Sequence, residues 1–219
     1  MPRRGAISPS GPRKIQAVDR LDALRINVAG LETRIVERCT STNALLRDER
    51  SAEPALLAAE LQTAGRGRHG RRWRSARGAG ATFSIRLRMR CEQRRLAGLS
   101  VEVGLSAARA LRRLGARGVA VKWPNDLLVK RRKLGGILIE TWPAPRSSTA
   151  GSVVVVGIGI NCRAQTRLGA RLGRGVAALE EVLRRPVSRN AVIEAVAREV
   201  LGALSSWERA WEQDRKQAA

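Results

Sequence analysis

The segment after the glycine-rich stretch TAGRGRHGRRW (63–73) sets the strongest limit on the fold of this chain. Residues 82–89, TFSIRLRM, alternate apolar and polar side chains in the manner of a half-buried β-strand; the apolar ones are Phe83, Ile85, Leu87 and Met89. The glycines formally match the dinucleotide-binding fingerprint, but that site needs an amphipathic helix starting at the glycines. No such helix pattern follows, so a nicotinamide-cofactor loop is excluded. An arginine patch for nucleic acid and an anion-holding loop of another enzyme stay open.

The hydrophobic pattern predicts one α+β domain with a mixed β-sheet and packed helices. A helix is expected to begin near Asn43, because the hydroxyl of Ser41 or Thr42 can cap it. Apolar residues three and four apart predict a helix over 96–114 that ends at Gly115. A similar stripe predicts a helix in the last third of the chain, where tryptophans are expected to fill the core.

The strands are predicted from short apolar or alternating segments. A short helix and an extended segment are expected within 18–36. Strands are expected at 54–62, 82–89, 119–123, 127–129, 134–140 and 153–161. The last of these is apolar enough to be buried on both faces.

Composition narrows the class of protein. The 219 residues carry a formal net charge of +23, which favours acidic partners. Only 5 of the 42 basic residues are Lys, and the basic residues are spread along the whole chain. This distribution indicates codon bias rather than a binding stripe. Specific DNA binding is therefore not expected, and a basic nucleic-acid-binding module is kept as an alternative.

The cysteines and the single histidine argue against several kinds of site. Cys39, Cys91 and Cys162 lack the spacing of a zinc site or a disulfide framework, so buried thiols in a reducing cytosol are expected. His69 is the only histidine, which nearly excludes a conventional His-based triad. The basic stretch 1–16 has no apolar centre and is interpreted as a disordered tail, and no run is long enough to span a membrane. A cytoplasmic protein is predicted.

Four stretches bring polar residues and glycines to strand ends, where loops on a rigid sheet commonly bind ligands. They are STN (41–43), the glycine stretch with Gln62, KWPND with KLGGI (122–137), and GIGINC (157–162). Pro124 disfavours helix before it, so Asn125 and Asp126 are presented to a nucleotide and Mg²⁺, or they simply occupy a turn.

Lys133 stands directly before two glycines, where a ligand could approach the backbone beside an ammonium group. The preceding charges, Lys130, Arg131 and Arg132, are expected at an exposed hairpin tip. Asn161 ends the most apolar strand, and a buried amide there needs hydrogen-bond partners.

Taken together, these stretches resemble biotin protein ligase over residues 38–162. The matching segments are STN, QTAGRGRHGRRW, GATFSIRL, KWPNDLLVKRRKLGGILIE and GIGIN, in the right order. The resemblance implies a class II aminoacyl-tRNA synthetase and biotin synthetase-like catalytic domain over 17–219. It implies that ATP and Mg²⁺ activate biotin as biotinyl-5′-AMP, which is transferred to a lysine of the biotin carboxyl carrier protein of acetyl-CoA carboxylase.

The resemblance also implies roles for individual residues. The catalytic cations are Lys133, Arg66 and Arg68. Biotin contacts are implied for Ser41, Thr42, Asn43, Gln62, Gly65, Arg66, Gly67, Arg68, Lys133 and Gly136. Nucleotide contacts are implied for Trp73, Asn125, Asp126 and Asn161, with Asp126 as the one candidate for a Mg²⁺ contact.

Two departures from the family pattern keep alternatives open. The STN segment begins at residue 41, so the winged-helix repressor domain of some members is not expected. The family's small β-barrel-like C-terminal domain is also expected to be absent, and a biotin-binding remnant that transfers poorly is therefore an alternative. A lipoate or octanoate ligase or transferase of the same fold is another, and a homodimer formed through sheet edges occurs in some members.

Overall fold

A computed structural model describes residues 19–48, 53–144, 151–164 and 175–217. The tail predicted at 1–16 lies outside the described residues. In chain order the elements are β1 (Glu32–Val36), α1 (Thr42–Asp48), β2 (Ala55–Ala59), β3 (Gly80–Met89), α2 (Leu99–Arg113), β4 (Val119–Lys122), β5 (Asp126–Val129), β6 (Arg132–Pro143), β7 (Ser152–Asn161), α3 (Leu179–Leu183) and α4 (Arg189–Gln217). Each predicted strand segment contains a strand.

The strands form one mixed sheet in the order β1-β2-β3-β7-β6-β5-β4. β1 and β2 are parallel and the other neighbouring pairs are antiparallel, which confirms the predicted α+β class. β7 lies between β3 and β6, so segments far apart in sequence meet at the centre of the sheet. In this register Gly136 of β6 lies opposite Gly159 of β7.

β3 differs from the half-buried strand that its alternation predicts. Its polar positions Thr82 and Ser84 are buried as well, with 7% and 0% exposure. The reason is that α1 packs on the second face of the sheet, where Leu46 joins a small apolar cluster with Leu57 and Val155. The prediction that β7 is buried on both faces is confirmed.

The helix predicted over 96–114 begins later than its apolar stripe suggests. Leu96 belongs to a separate 3-10 turn, Gln93–Leu96, and α2 begins at Leu99. Gly98 separates the two with a φ of +89°, a left-handed conformation that favours glycine. Gly115, with a φ of +102°, follows the end of the helix as predicted.

The main core lies between the sheet and the helices α2 and α4, which pack against each other. The stripe of α4 supplies Ile193, Val196, Val200 and Leu204, all buried. Trp207 and Trp211 are partly buried against the same core, which confirms that they fill it. Full burial of one such aliphatic side chain contributes about 1.5–3 kcal/mol, so this stripe fixes α4 to the sheet.

A buried charged cluster, which the sequence patterns do not reveal, joins the first described residues to α4. Arg189 is fully buried, and its guanidinium donates to Glu60 Oε2 at 2.8 Å and to Asp19 Oδ2 at 3.2 Å. Glu60 Oε1 also accepts from the Leu21 backbone N–H at 2.7 Å. Each buried charge therefore has partners, as burial of ions requires.

The three cysteines are buried and free, as predicted. Burial raises the pKa of the Cys39 thiol to about 11 and that of the Cys162 thiol to about 12. Burial also raises the pKa of Cys91. None of the helices in the described ranges has the length and apolar character that crossing a bilayer requires.

Candidate functional site

A cavity of about 420 Å³ lies where the central strands meet α1. It is lined by 82–83 of β3, Lys133 and 136–138 of β6, 157–159 of β7, 41–43 at the start of α1, and 123–126, which ends with the first residue of β5. The stretch 62–73, here named the glycine loop, lines the remaining side. The volume lies within the range of small-molecule sites.

Hydrogen bonds fix the start of α1 against the glycine loop. Gln62 Oε1 accepts from the Thr42 backbone N–H at 2.7 Å and from the Thr42 hydroxyl at 3.0 Å. The Ser84 hydroxyl lies 2.7 Å from Thr42 Oγ1 and donates to Asn43 Oδ1 at 2.6 Å. Oε1 of Gln62 is therefore occupied by bonds within the protein. Its Nε2 forms no hydrogen bond with another described residue, so this is the group that can donate to a ligand.

The amide of Asn43 is held at both ends by the protein. Nδ2 donates to Glu140 Oε2 at 2.8 Å and to the Leu138 carbonyl at 3.3 Å, while Oδ1 accepts from Ser84. Gly157 makes room for this amide, since a Cβ there would lie 2.1 Å from Asn43 Oδ1. Asn43 therefore lines the cavity with a fixed orientation.

The glycine loop folds back on itself through backbone hydrogen bonds. The Gly67 N–H donates to the Arg71 carbonyl at 2.7 Å, and the Trp73 N–H donates to the Gly65 carbonyl at 2.9 Å. Arg66 and Arg68 line the cavity, and Arg66 Nη2 lies 3.7 Å from Glu140 Oε1. Arg71 lines the cavity as well, so the loop places three arginines beside it.

The indole of Trp73 lies against the two glycines that face each other in β6 and β7. A Cβ at Gly159 would come within 2.4 Å of Trp73 Cε2, and one at Gly136 within 3.6 Å of Trp73 Cζ3. Trp73 Nε1 is buried and has no hydrogen-bond partner among the described residues. A buried donor of this kind calls for an acceptor, which a bound ligand can supply.

Lys133 enters the cavity from β6 and meets a carboxylate. Its Nζ lies 2.6 Å from Asp126 Oδ1, and its side chain is 18% exposed. Lys130 and Arg131 form the turn between β5 and β6 with positive φ values of 48° and 63°, as predicted for a hairpin tip. The hairpin therefore sends Lys133 inward and keeps the preceding charges outside.

A model of the biotin/lipoate A/B protein ligase family matches residues 35–161, which is more than half of the chain. The chain belongs to this family. It is 37% identical over 171 residues to the bifunctional ligase/repressor BirA of Escherichia coli, covering 77% of this chain and 52% of that protein. It is 32% identical over 184 residues to the biotin–[acetyl-CoA-carboxylase] ligase of Mycobacterium tuberculosis, covering 80% and 65%.

The fold of this biotin/lipoate ligase family member also matches solved structures. The biotin protein ligase of Aquifex aeolicus in complex with biotin and ATP superposes with a TM-score of 0.68 at 26% identity. The match covers 81% of this chain and 72% of that one. The chain spans about half the length of the Escherichia coli relative.

Most of the predicted site residues of this family member share the cavity. Those that line it are Ser41, Thr42, Asn43, Gln62, Arg66, Gly67, Arg68, Trp73, Asn125, Asp126, Lys133 and Gly136. Gly65 does not line it, because the Gln62 side chain and the Trp73 backbone stand beside it. Asn161 lies behind the wall, where its Nδ2 donates to the Lys133 carbonyl at 3.3 Å. The individual roles stay predictions.

Several residues of the site are assigned no individual role from the sequence. Trp123, at 76% exposure, lines the rim, and Gly157 and Gly159 shape one side. Ser84 and Glu140 stand behind the lining and orient Asn43. A carboxylate at the end of the apolar strand LGGILIE is the one signal that marks Glu140, because charges are rare in buried strands.

The described residues contain no cluster of three or more His, Cys, Asp or Glu side chains suited to a metal ion. Asp126 is the carboxylate that lines the cavity. Mg²⁺ bound with a nucleotide commonly needs only one or two protein carboxylates besides phosphate oxygens and water. The residues present therefore fit a metal ion that arrives with a triphosphate.

Proposed function

We propose that this family member is an ATP-dependent biotin ligase that forms biotinyl-5′-AMP and transfers the biotinyl group to a lysine of a carrier protein. The observation that carries the proposal is the meeting of Lys133, Arg66 and Arg68 in one cavity of ligand size. The similarity to named biotin ligases, one of them in complex with biotin and ATP, supports it.

The first step joins two anions. A carboxylate oxygen of biotin attacks the α-phosphorus of ATP, a P–O bond forms, and the bond to the bridging oxygen breaks to release pyrophosphate. Because the reactants repel each other, positive groups must neutralise both and hold them in line. Lys133 stands on β6, whereas Arg66 and Arg68 stand on the glycine loop, and all three line the same cavity. We assign them this task.

The second step consumes the mixed anhydride. The neutral amine of the acceptor lysine attacks the acyl carbon, AMP leaves with the electron pair of the acyl–oxygen bond, and the amine loses a proton. Water would hydrolyse the anhydride, so the site must exclude it until the acceptor arrives. The glycine loop lies beside the cavity, and we assign to it the task of covering the anhydride and excluding water.

The polar groups of the cavity divide between the two substrates. Gln62 Nε2 and the hydroxyl groups of Ser41 and Thr42 suit the ureido ring or the tail of biotin. Trp73 Nε1 offers an unused donor to the adenylate. The Asn125 amide nitrogen donates to the Ile137 carbonyl at 3.2 Å, so we assign the nucleotide contact to its side-chain oxygen.

Asp126 would hold Mg²⁺ together with the phosphates of ATP, and the ion would supply charge neutralisation at the triphosphate. In the ligand-free molecule this carboxylate neutralises Lys133. The same pair keeps the ammonium within the cavity before the anions arrive. Asp126 therefore has a positioning task in addition to the metal contact that we assign to it.

The choice of acid tests the proposal against the lipoate or octanoate alternative. Pyrophosphate release is measured with ATP, Mg²⁺ and biotin, lipoate or octanoate in parallel reactions. Biotin alone should drive release well above the rate without an acid. Release driven equally by lipoate or octanoate, or by none of the three acids, would contradict the proposal.

Transfer to the carrier needs a separate reaction. Adding a biotin carboxyl carrier domain should give labelled carrier in proportion to the pyrophosphate released. Pyrophosphate without labelled carrier would favour the biotin-binding remnant. The cytoplasmic location, the homodimer, the lack of specific DNA binding and the domain boundaries stay predictions.

A further inference from the structure

Glu140 of β6 connects the glycine loop to the wall of the cavity. Its Oε2 accepts from Asn43 Nδ2 at 2.8 Å, and its Oε1 lies 3.7 Å from Arg66 Nη2. Its side chain is 19% exposed, and it does not itself line the cavity. Glu140 therefore contacts two residues that line the cavity, Asn43 and Arg66.

The contact between Glu140 and Arg66 differs from the surroundings of the other arginines in the glycine loop. Lys133 pairs with Asp126, and Arg66 pairs with Glu140. In the described part of the chain, the other arginines of the glycine loop, Arg68, Arg71 and Arg72, form no ion pair. Among the described residues, Glu140 is thus the carboxylate that forms an ion pair with an arginine of the glycine loop.

We propose that Glu140 is a positioning residue that holds Arg66, and with it the glycine loop, ready for the anionic substrate. The Arg66 side chain is 51% exposed, and ordering such a long side chain costs conformational entropy. Holding it before the ligand binds lowers that cost at the moment of binding. The kinetic part of this inference rests on the proposed function, whereas the structural part does not.

The two contacts of Glu140 can be separated by substitution. Glu140→Gln keeps an oxygen that accepts from Asn43 but removes the charge that attracts Arg66. Arg66→Gln removes the same ion pair from the loop side. Glu199→Gln is the matched control, because Glu199 is 22% exposed and pairs with Arg109 and Arg113 away from the cavity.

Limited trypsin digestion of the ligand-free protein tests the structural part. Cleavage after Arg68 and Arg71 is followed by mass spectrometry, with the other cleavage sites as internal references. Glu140→Gln should speed cleavage in the loop about two- to fivefold, as expected for loss of a half-exposed ion pair, and Glu199→Gln should not. In the Arg66→Gln background Glu140→Gln should add nothing. Equal loop cleavage in Glu140→Gln and the unsubstituted protein, or further acceleration in the Arg66→Gln background, would overturn the proposal.

Steady-state kinetics of pyrophosphate release test the functional part. Glu140→Gln should raise the KM for biotin about two- to fivefold and leave kcat nearly unchanged, because the ion pair prepares binding rather than the chemical step. An unchanged or lower KM would overturn the role of Glu140 in substrate binding. If the unsubstituted protein shows no biotin-dependent release, the proposed function fails, and the digestion still decides whether Glu140 holds the loop.

Discussion

Lys130 and Lys133 stand on one hairpin but have different surroundings. Lys130 lies in the turn with a φ of +48°, and its side chain is exposed. Lys133 lies 2.6 Å from Asp126 and lines the cavity beside Gly136. The ammonium group of Lys130 is therefore directed to solvent, whereas that of Lys133 is directed to the ligand site.

Replacing each lysine by alanine tests this difference. Lys133→Ala should lower the kcat/KM of pyrophosphate release by about 10²–10³, comparable with loss of one oxyanion-hole donor. Lys130→Ala is the control and should change kcat/KM by less than about twofold, because exposed charges away from a site contribute little. Similar losses in both variants would argue against Lys133 as the catalytic cation.

The cysteines should be inert in the folded protein. Burial raises the pKa of Cys39 to about 11 and of Cys162 to about 12, so both stay protonated at pH 8. The thiolate is the reactive form, and a disulfide reagent should therefore modify these thiols at pH 8 only after denaturant unfolds the chain. Rapid modification of the native protein, followed by absorbance, would contradict the buried positions.

The contact between Trp73 and β7 depends on Gly159. Gly159→Ala should displace the indole, because the new Cβ would lie 2.4 Å from Trp73 Cε2. We expect the KM for ATP to rise at least about tenfold, since misplacement of one group by about 1 Å can cost 10²-fold in rate. Pyrophosphate-release kinetics measure this change.

Gly202→Ala in α4 is the matched control, because nothing lies within 4 Å of that Cβ. It should leave the KM unchanged and stabilise the helix by about 1 kcal/mol in urea unfolding. An unchanged KM for ATP in Gly159→Ala would contradict the assignment of Trp73 to the nucleotide site.

The strands and helices follow from patterns that adjacent residues already contain. Alternation predicts β3, and residues three and four apart predict the stripe of α4, because each pattern matches the period of its element. The start of α2 is missed because the apolar stripe continues through Leu96, whereas the left-handed Gly98 interrupts the helix. Local periodicity carries no information on that interruption.

The sequence predicts the residues of the site less completely than it predicts the strands and helices. Motif residues such as Lys133 and Arg66 are identified from the resemblance, and the structure brings them to one cavity. The contact between Asn43 and Glu140 joins residues 97 positions apart, and it depends on β6 and β7 lying side by side. A single sequence does not specify this pairing, so the residues behind the cavity wall stay unrecognised.

The buried cluster around Arg189 should make the stability of the chain sensitive to loss of this cation. Removing one partner of a buried ion pair leaves an uncompensated charge, which costs about 3–5 kcal/mol. Arg189→Met should therefore lower the free energy of unfolding by about that amount, because Glu60 stays buried without its cation and Asp19 keeps only Arg163.

Arg198→Met serves as the control in the same helix. Arg198 is 62% exposed and pairs with Glu194, so its loss should cost at most about 1 kcal/mol. Urea unfolding followed by circular dichroism compares the two variants. Equal losses of unfolding free energy in Arg189→Met and Arg198→Met would contradict the predicted cost of removing the buried cation.

The fold connects stability and function through the central strands. β3, β6 and β7 carry the apolar core on one face, and they also form the cavity. Gly136 and Gly159 line the cavity, and Ser84 supports it through its hydrogen bond to Asn43. The cations stand on a strand and on a loop, so their convergence depends on the fold as a unit. The proposed chemistry depends on this convergence.

A crystal structure with biotinyl-5′-AMP tests this convergence. The account predicts that the adenylate occupies the cavity, with Lys133 Nζ and the guanidinium of Arg66 or Arg68 within about 3.2 Å of its carbonyl or phosphate oxygens. An adenylate bound elsewhere, or bound in the cavity with Lys133 and both arginines directed away from it, would contradict the account.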